Sequence, residues 1–238
     1  MATRIPTYSE FMNKKKTVKF DDRYDFSQKV GLTESANMVI MGVDSDTDKC
    51  GFSTYDPCVD EVLRQDEVEL SLAPEYFADI ASEFDMSNFM VRLEVPTMET
   101  VWGVCEKKKA AMRAAKVSAT QIEKAVWLTI AQSFRCNEVA NQLIQVMKRR
   151  KILYELVNSG DRVNMSNKKY AKLTEKQWFA MLRLAFVSSD QRMLRPTKLK
   201  ANLLKSIFNV DVAGSDELKD SLTLTLREAV YHKIIRKI

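Results

Sequence analysis

The hydrophobic period of the chain changes at Pro96, and that change limits the folds open to it. Before it, Val68, Leu70 and Leu72, and later Phe89, Val91, Leu93 and Val95, alternate with other residues at the two-residue period of half-exposed strands. After it, Met98, Val101, Trp102 and Cys105 follow the i, i+3, i+4, i+7 spacing of one helix face. The expected class is therefore α+β, predominantly α. A small N-terminal mixed α/β region with a short sheet would be followed by an all-helical C-terminal domain of about five helices.

Local signals fill in that outline. Met38 to Met41 reads as a short buried strand, and Pro74 suits the first turn of a helix carrying Tyr76, Phe77 and Ile80. Thr120 to Glu123 has the form of a capping box ahead of Ile122, Val126, Ile130 and Phe134, on a long central helix expected to reach towards Val157. Asn158 to Asp161 would stop it. A second capping box at Thr174 to Gln177 precedes Trp178, Met181, Leu182 and Phe186, a group read with Phe179 as core rather than as a ligand pocket. Pro196 opens a helix with Leu199, Leu203, Ile207 and Phe208, and Ser215 caps a last one.

Charge divides the chain differently from period. Residues 1–95 carry 10 Lys and Arg against 19 Asp and Glu, whereas residues 96–238 carry 27 against 13. Within the front part, residues 1–29 are basic and residues 30–95 hold 3 basic against 15 acidic side chains. The organisation expected is a basic arm (1–29), an acidic mixed α/β region (30–95) and a basic helical domain (96–238). Such asymmetry favours a polyanion partner for the basic part and contact between copies through arm and acidic block. The plain alternative is mutual neutralisation within one fold.

Several chemistries lack their residues. Six glycines, never clustered, supply neither a nucleophile elbow nor a phosphate-cradling loop. Four cysteines without a C-x-x-C pair, and His232 alone among histidines, do not make a zinc site, and buried thiols in a reducing compartment are the better reading. Asp44, Asp46 and Asp48 alternate like the start of a calcium loop, but Lys49 and Tyr55 stand where glycine and a bidentate glutamate belong. No cofactor, metal ligand set or catalytic residue is read from the sequence. The start of the chain lacks the apolar run of a signal peptide, and the longest apolar stretch, Met38 to Val43, is too short to span a bilayer, so a cytoplasmic protein is expected.

Basic clusters are the strongest positive signal. Lys107, Lys108, Lys109, Arg113 and Lys116 share one predicted helix, Lys148, Arg149, Arg150 and Lys151 end the next, and Lys168, Lys169, Tyr170 and Lys172 set a ring among charges. Arg192, Arg195 and Lys198 form a further group near Pro196. Serial point charges suit phosphates, and an aromatic ring suits an unpaired base. The expected function is a nucleic-acid-binding structural protein, for single-stranded RNA, of nucleocapsid or coat-protein type, a homo-oligomer without catalysis. The alternative is a protein–protein adaptor without a nucleic-acid ligand, and a metal-dependent enzyme using Asp44 to Asp48 is the third reading.

Overall fold

A computed structural model describes residues 24–46, 48–159, 162–164, 173–177, 179–180, 195–197, 199, 201–212 and 214–235. A short helix α1 (Leu32–Ser35) leads into β1 (Val39–Ser45), β2 (Lys49–Asp56) and β3 (Glu61–Glu69). A 3-10 turn (Leu70–Leu72) runs into α2 (Ala73–Ala81), and β4 (Phe89–Val95) follows. Then come α3 (Met98–Ala114), α4 (Ala119–Arg150), β5 (Leu153–Asn158), the short pair β6 (Arg162–Asn164) and β7 (Arg195–Thr197), α5 (Ala201–Phe208), α6 (Asp216–Thr223) and α7 (Leu226–Val230). A π-helical turn, Tyr231–Ile235, closes the described chain.

The main sheet has the order β3-β2-β1-β4-β5. β1, β2 and β3 form an antiparallel meander, whereas β4 pairs parallel to β1 and β5 parallel to β4. The chain thus leaves β1 on one side through β2 and returns on its other side as β4. Side-chain alternation sends Met41, Val43, Val91, Leu93 and Leu156 into the core beneath α2 and α4. The opposite face carries Ile40, Gly42, Asp44, Met90, Arg92, Glu94 and Glu155 beneath α6 and α7. The sheet is therefore sandwiched between two helical layers, and β4 is buried along its whole length.

Several expectations are corrected here. The α+β class holds, but residues 96–238 are not all helical, because β5 lies in the sheet beside β4 and β6 pairs with β7. The long helix ends at Arg150, where Lys151 turns left-handed at φ 56° and the chain re-enters the sheet. That stop is invisible to a search for glycine, since a lysine takes the position glycine usually holds. β1 also runs on through Gly42 to Ser45, and β2 takes up the residues read as a failed calcium loop. The predicted strand through Leu70 and Leu72 instead ends at Glu69. Ser215 does cap α6, its Oγ accepting from the Leu218 amide at 3.3 Å. Cys50, Cys105 and Cys136 are buried free thiols, while Cys58 is exposed. Among the described residues no helix is long and apolar enough to cross a membrane. Residues 1–23 of the basic arm, Trp178, Met181, Leu182 and Phe186 lie outside the described residues.

A buried charge network ties α7 to the sheet. The Arg92 guanidinium, wholly buried on β4, donates through Nε to Glu155 on β5 at 2.6 Å and through Nη2 to Glu228 on α7 at 2.7 Å. Its Nη1 bonds the other Glu228 oxygen and, at 3.2 Å, the Leu224 carbonyl. Arg227 donates to Glu228 at 2.8 Å and to the Val30 carbonyl and Ser35 hydroxyl at 3.1 Å each. The Val30 amide donates to Glu155 at 2.5 Å. Burial on its own would raise Glu228, but Arg92, Arg227 and the bonds from Arg92 and Ser35 outweigh it and hold the carboxyl at about 2.

Arg92→Met would leave buried Glu155 without its ion-pair partner and Glu228 with Arg227 alone, and the expected cost is about 3–5 kcal/mol of unfolding free energy. Urea denaturation checks this, and an unchanged midpoint would show that the network does not hold α7. Because Glu228 is depressed below the ordinary glutamate value of 4.5, its contribution is present above that pH and is lost as pH falls from 4.5 towards 2. The wild-type midpoint should fall across that window more steeply than that of Glu228→Gln.

Candidate active site at the sheet edge

The parallel pair β1 and β4 brings two carboxylates side by side. Val43 is level with Leu93 in the register, so the next residues, Asp44 and Glu94, are neighbours at the C-terminal ends of both strands. Both stand on the α6 face, and their residues are 3% and 2% exposed. This is the point where the chain's path across the sheet reverses, with β2 on one side of β1 and β4 on the other. In open sheets of this kind the crevice outside the carboxyl ends of the strands at such a reversal is where ligands bind.

α6 covers that edge because two glycines let it approach. Gly51 on β2 is the register partner of Asp44, and a Cβ there would fall 2.4 Å from the Glu217 carbonyl oxygen. A Cβ on Gly42 would meet the Ser221 carbonyl at 2.0 Å. Ser53 and Ser221 share a hydroxyl–hydroxyl hydrogen bond of 2.6 Å across the same contact. The first turn of α6 therefore lies over β2 at the level of Asp44. Asp220 stands one turn beyond Glu217 on the same side of the helix and is buried.

Three buried carboxyl groups from β1, β4 and α6 are hard oxygen donors of the kind that hold Mg²⁺ or Mn²⁺. Among the described residues no three His, Cys, Asp or Glu side chains close into a ready-made metal cage. Magnesium does not require one, since it keeps several waters and is bound by one or two carboxylates together with substrate phosphates. Asp44 and Glu94 are the residues that would hold such an ion, and Asp220 is a further buried carboxyl on the helix that covers this face. The backbone at Asp46 and Asp48 is fixed beside the β1–β2 turn, where the Asp46 amide donates to the Lys49 carbonyl and the Asp48 carbonyl accepts from the Leu70 amide, both at 2.9 Å.

Beside the carboxylates lies a half-open groove of about 350 Å³, between the β1, β4 and β5 ends and the α3–α4 hairpin. Glu94, Asp46 and Ser159 line its sheet side. Cys136 also lines it and donates to the Asp46 carbonyl at 3.1 Å. Burial, with Asp46 and Asp44 nearby, pushes the Cys136 thiol up to about 11, so it is neutral at physiological pH and no nucleophile. His232 faces Asp60 at 3.6 Å, in the β2–β3 turn at the opposite edge of the sheet, and takes no part here.

The basic candidates divide between the two ends of the molecule. α4 is 32 residues long, so it extends about 48 Å. Its C-terminal half covers the sheet, and its N-terminal half projects past the carboxylate edge, paired with α3 through Val101, Trp102, Cys105, Val126 and Ile130. Lys107, Lys108, Arg113 and Lys116 are exposed on or just after the α3 arm of this projection, on the carboxylate side. Lys109 is engaged internally, 2.7 Å from Glu106 and 5.4 Å over the Trp102 ring. Lys148, Arg149, Arg150 and Lys151 lie at the far end of α4, where Arg150 donates to the Ala78 carbonyl at 2.6 Å. Lys168, Lys169, Tyr170, Lys172, Arg192 and Lys198 lie outside the described residues, and of Arg195 the structure describes the backbone, in β7.

Asp44, Glu94 and Asp220 were not legible as a site. They are scattered by 50 and 126 residues, and Asp220 sits in a helix whose acids read as dipole complements. The one signal available was a carboxylate ending each of two apolar runs, Met38 to Asp44 and Phe89 to Glu94.

No protein-family model and no curated protein sequence matches the chain. Among solved structures it is similar to T. thermophilus RuvC in complex with Holliday junction substrate, at a TM-score of 0.41 and 10% identity, covering 83% of this chain and 96% of that one. The expectations of a nucleocapsid or coat-type structural protein, of an adaptor, and of a chain without catalysis are corrected at this point. Asp44, read only as the start of a failed calcium loop, and Glu94, on a strand read as half-exposed, are both buried.

The groove wall yields a direct check. Iodoacetamide at pH 8 should label Cys58 and leave Cys136 unmodified in the folded protein, as read by peptide mass spectrometry. Rapid labelling of Cys136 would mean that the wall formed by α4 and the β1 end is not packed.

Proposed function

We propose that the protein is a metal-dependent nuclease that hydrolyses phosphodiester bonds in nucleic acid, with Asp44, Glu94 and Asp220 as its acidic centre. The observation that carries this reading is the placement of Asp44 and Glu94 on neighbouring parallel strands, buried together at the point where the sheet's strand order reverses. A divalent cation held there supplies Lewis-acid stabilisation of a phosphoryl oxygen and a water of lowered pKa. The chain's own part is to fix the carboxylates on rigid strands, carry Asp220 on the covering helix α6 and keep bulk water from their buried sides. Two or more carboxylates at one edge repel a phosphate unless cations intervene, which makes metal and substrate binding mutually dependent.

The projecting hairpin suits the polyanion part of that task. Lys107, Lys108, Arg113 and Lys116 offer a series of charges beside the acidic edge, as phosphate contacts require. Lys148 to Lys151 stand most of the length of α4 away and would meet only a long or second segment of nucleic acid.

Asp44→Asn and Glu94→Gln are the decisive variants. With Mg²⁺ or Mn²⁺, the wild type should cut one or more of single-stranded, duplex and four-way-junction DNA or RNA, and EDTA should stop it. Each variant should lose at least ~100-fold in rate, because the ion's several kcal/mol of transition-state stabilisation goes with its ligand. Cleavage undiminished in both variants, or absent on every substrate with either metal, sinks the proposal. Lys107→Glu with Lys108→Glu should flatten the salt dependence of single-strand binding by roughly 1.4 log units per log unit of salt. An unchanged slope would remove the hairpin from the contact.

A further inference from the structure

The groove beside Glu94 is built with two chemically different walls. Pro96, Val101 and Val104 make one side apolar, and Val104 is left 48% exposed at the rim. α4 supplies the other side through Thr129, Gln132 and Ser133. Two of these have committed their hydroxyl protons to the helix. Ser133 Oγ donates to the Thr129 carbonyl at 2.9 Å, and Thr129 Oγ1 donates to the Ala125 carbonyl while accepting from Lys108 Nζ, each at 3.0 Å. The Gln132 amide makes no hydrogen bond among the described residues. It is half-buried, and it offers a donor and an acceptor together across the groove from an apolar wall.

A flat heteroaromatic ring with hydrogen-bonding groups along one edge matches that pair of walls. A volume of about 350 Å³ accommodates it, and is of the size that small ligands occupy. The groove also shares Glu94 with the acidic centre, so a ring seated in it would belong to the nucleotide beside the phosphate held there. Lys108, tethered at the rim to Thr129, stands where the next phosphate of the same strand would pass.

We infer that this groove takes one unstacked nucleobase of the bound strand, with Pro96 and Val104 against its face and Gln132 on its hydrogen-bonding edge. The inference rests on the nuclease reading above, and it adds base recognition at one position next to the cut. An amide pairs best with adenine among the bases, through N6 and N7, so adenine is the base expected there. Gln132 and Val104 are half-exposed or exposed, so changing them tests the groove without dismantling the core.

The test is made with Ca²⁺ in place of Mg²⁺, a hard cation that can sit at the carboxylates and admit the phosphate, and it reads binding rather than cleavage. Affinities are measured by fluorescence anisotropy for one labelled single strand and for copies carrying a single abasic site at successive positions. In the wild type one position should cost about tenfold in affinity, the stacking and edge contacts of one base. In Val104→Trp, which fills the groove, and in Gln132→Ala, that positional cost should shrink to twofold or less, with affinity for the abasic strand unchanged. Uniform binding of every abasic strand by the wild type, or the same positional cost in both variants, overturns the inference and leaves the nuclease reading standing. Absence of any binding to nucleic acid overturns both.

Discussion

Arg92 is the residue on which the arrangement of the site depends. It is buried in the middle of β4, and moving a guanidinium there is costly unless its charge is met. Glu155 from the neighbouring strand and Glu228 from α7 meet it, with the Leu224 carbonyl taking a further donor. All these partners lie on one face of the sheet, and they come from segments more than 60 and 130 residues away in sequence. The network therefore selects one docking of the α6–α7 segment, where apolar packing alone, being non-directional, would tolerate sliding.

Fixing α7 fixes α6, and α6 carries Asp220. The close approach at Gly42 and Gly51 sets the height of the helix above the sheet, and the Ser53–Ser221 bond sets its register along β1 and β2. Arg92 and Glu94 are two residues apart on the same face of the same strand, so the structural cation and the acidic centre share one row of the sheet. A buried carboxylate gains from a fixed positive charge nearby, but Arg92 is saturated by its own partners. Arg92 therefore acts on the α6–α7 segment rather than on Glu94.

How much of this could be read from the sequence depends on which residues are asked. Phe89 to Val95 was legible as a strand, with the polar Arg92 and Glu94 taken to face solvent. In fact both faces of β4 are covered, and a parallel strand buried on both sides is expected to be continuously apolar. Arg92 is there because it anchors a helix. β5 was lost because the α4 pattern runs without interruption to Arg150 and the turn is made by Lys151, whose left-handed backbone no residue-type rule announces. The buried faces of α3 and α4, in contrast, follow from the spacing of Val101, Trp102 and Cys105 and of Val126 and Ile130, and in the fold these faces meet. Local periodicity records which face a helix buries. It does not record which distant carboxylates the topology sets side by side.

The division of charge acquires a different meaning in three dimensions. Counted along the chain, residues 30–95 are an acidic block, yet Asp44 and Glu94 belong to the sheet edge while Asp66, Glu67 and Glu83 meet Lys49 and Arg64 near the surface. The basic residues after Pro96 likewise separate, with Arg92's counterpart Arg227 committed inside and Lys107, Lys108, Arg113 and Lys116 carried outward on the hairpin. A polyanion approaching the molecule meets those lysines and arginines first and the acidic edge only where the backbone bends inward. On the nuclease reading, attraction at the periphery and repulsion at the centre would make the acidic edge admit a phosphate only together with a cation, so ion and substrate would bind as a pair.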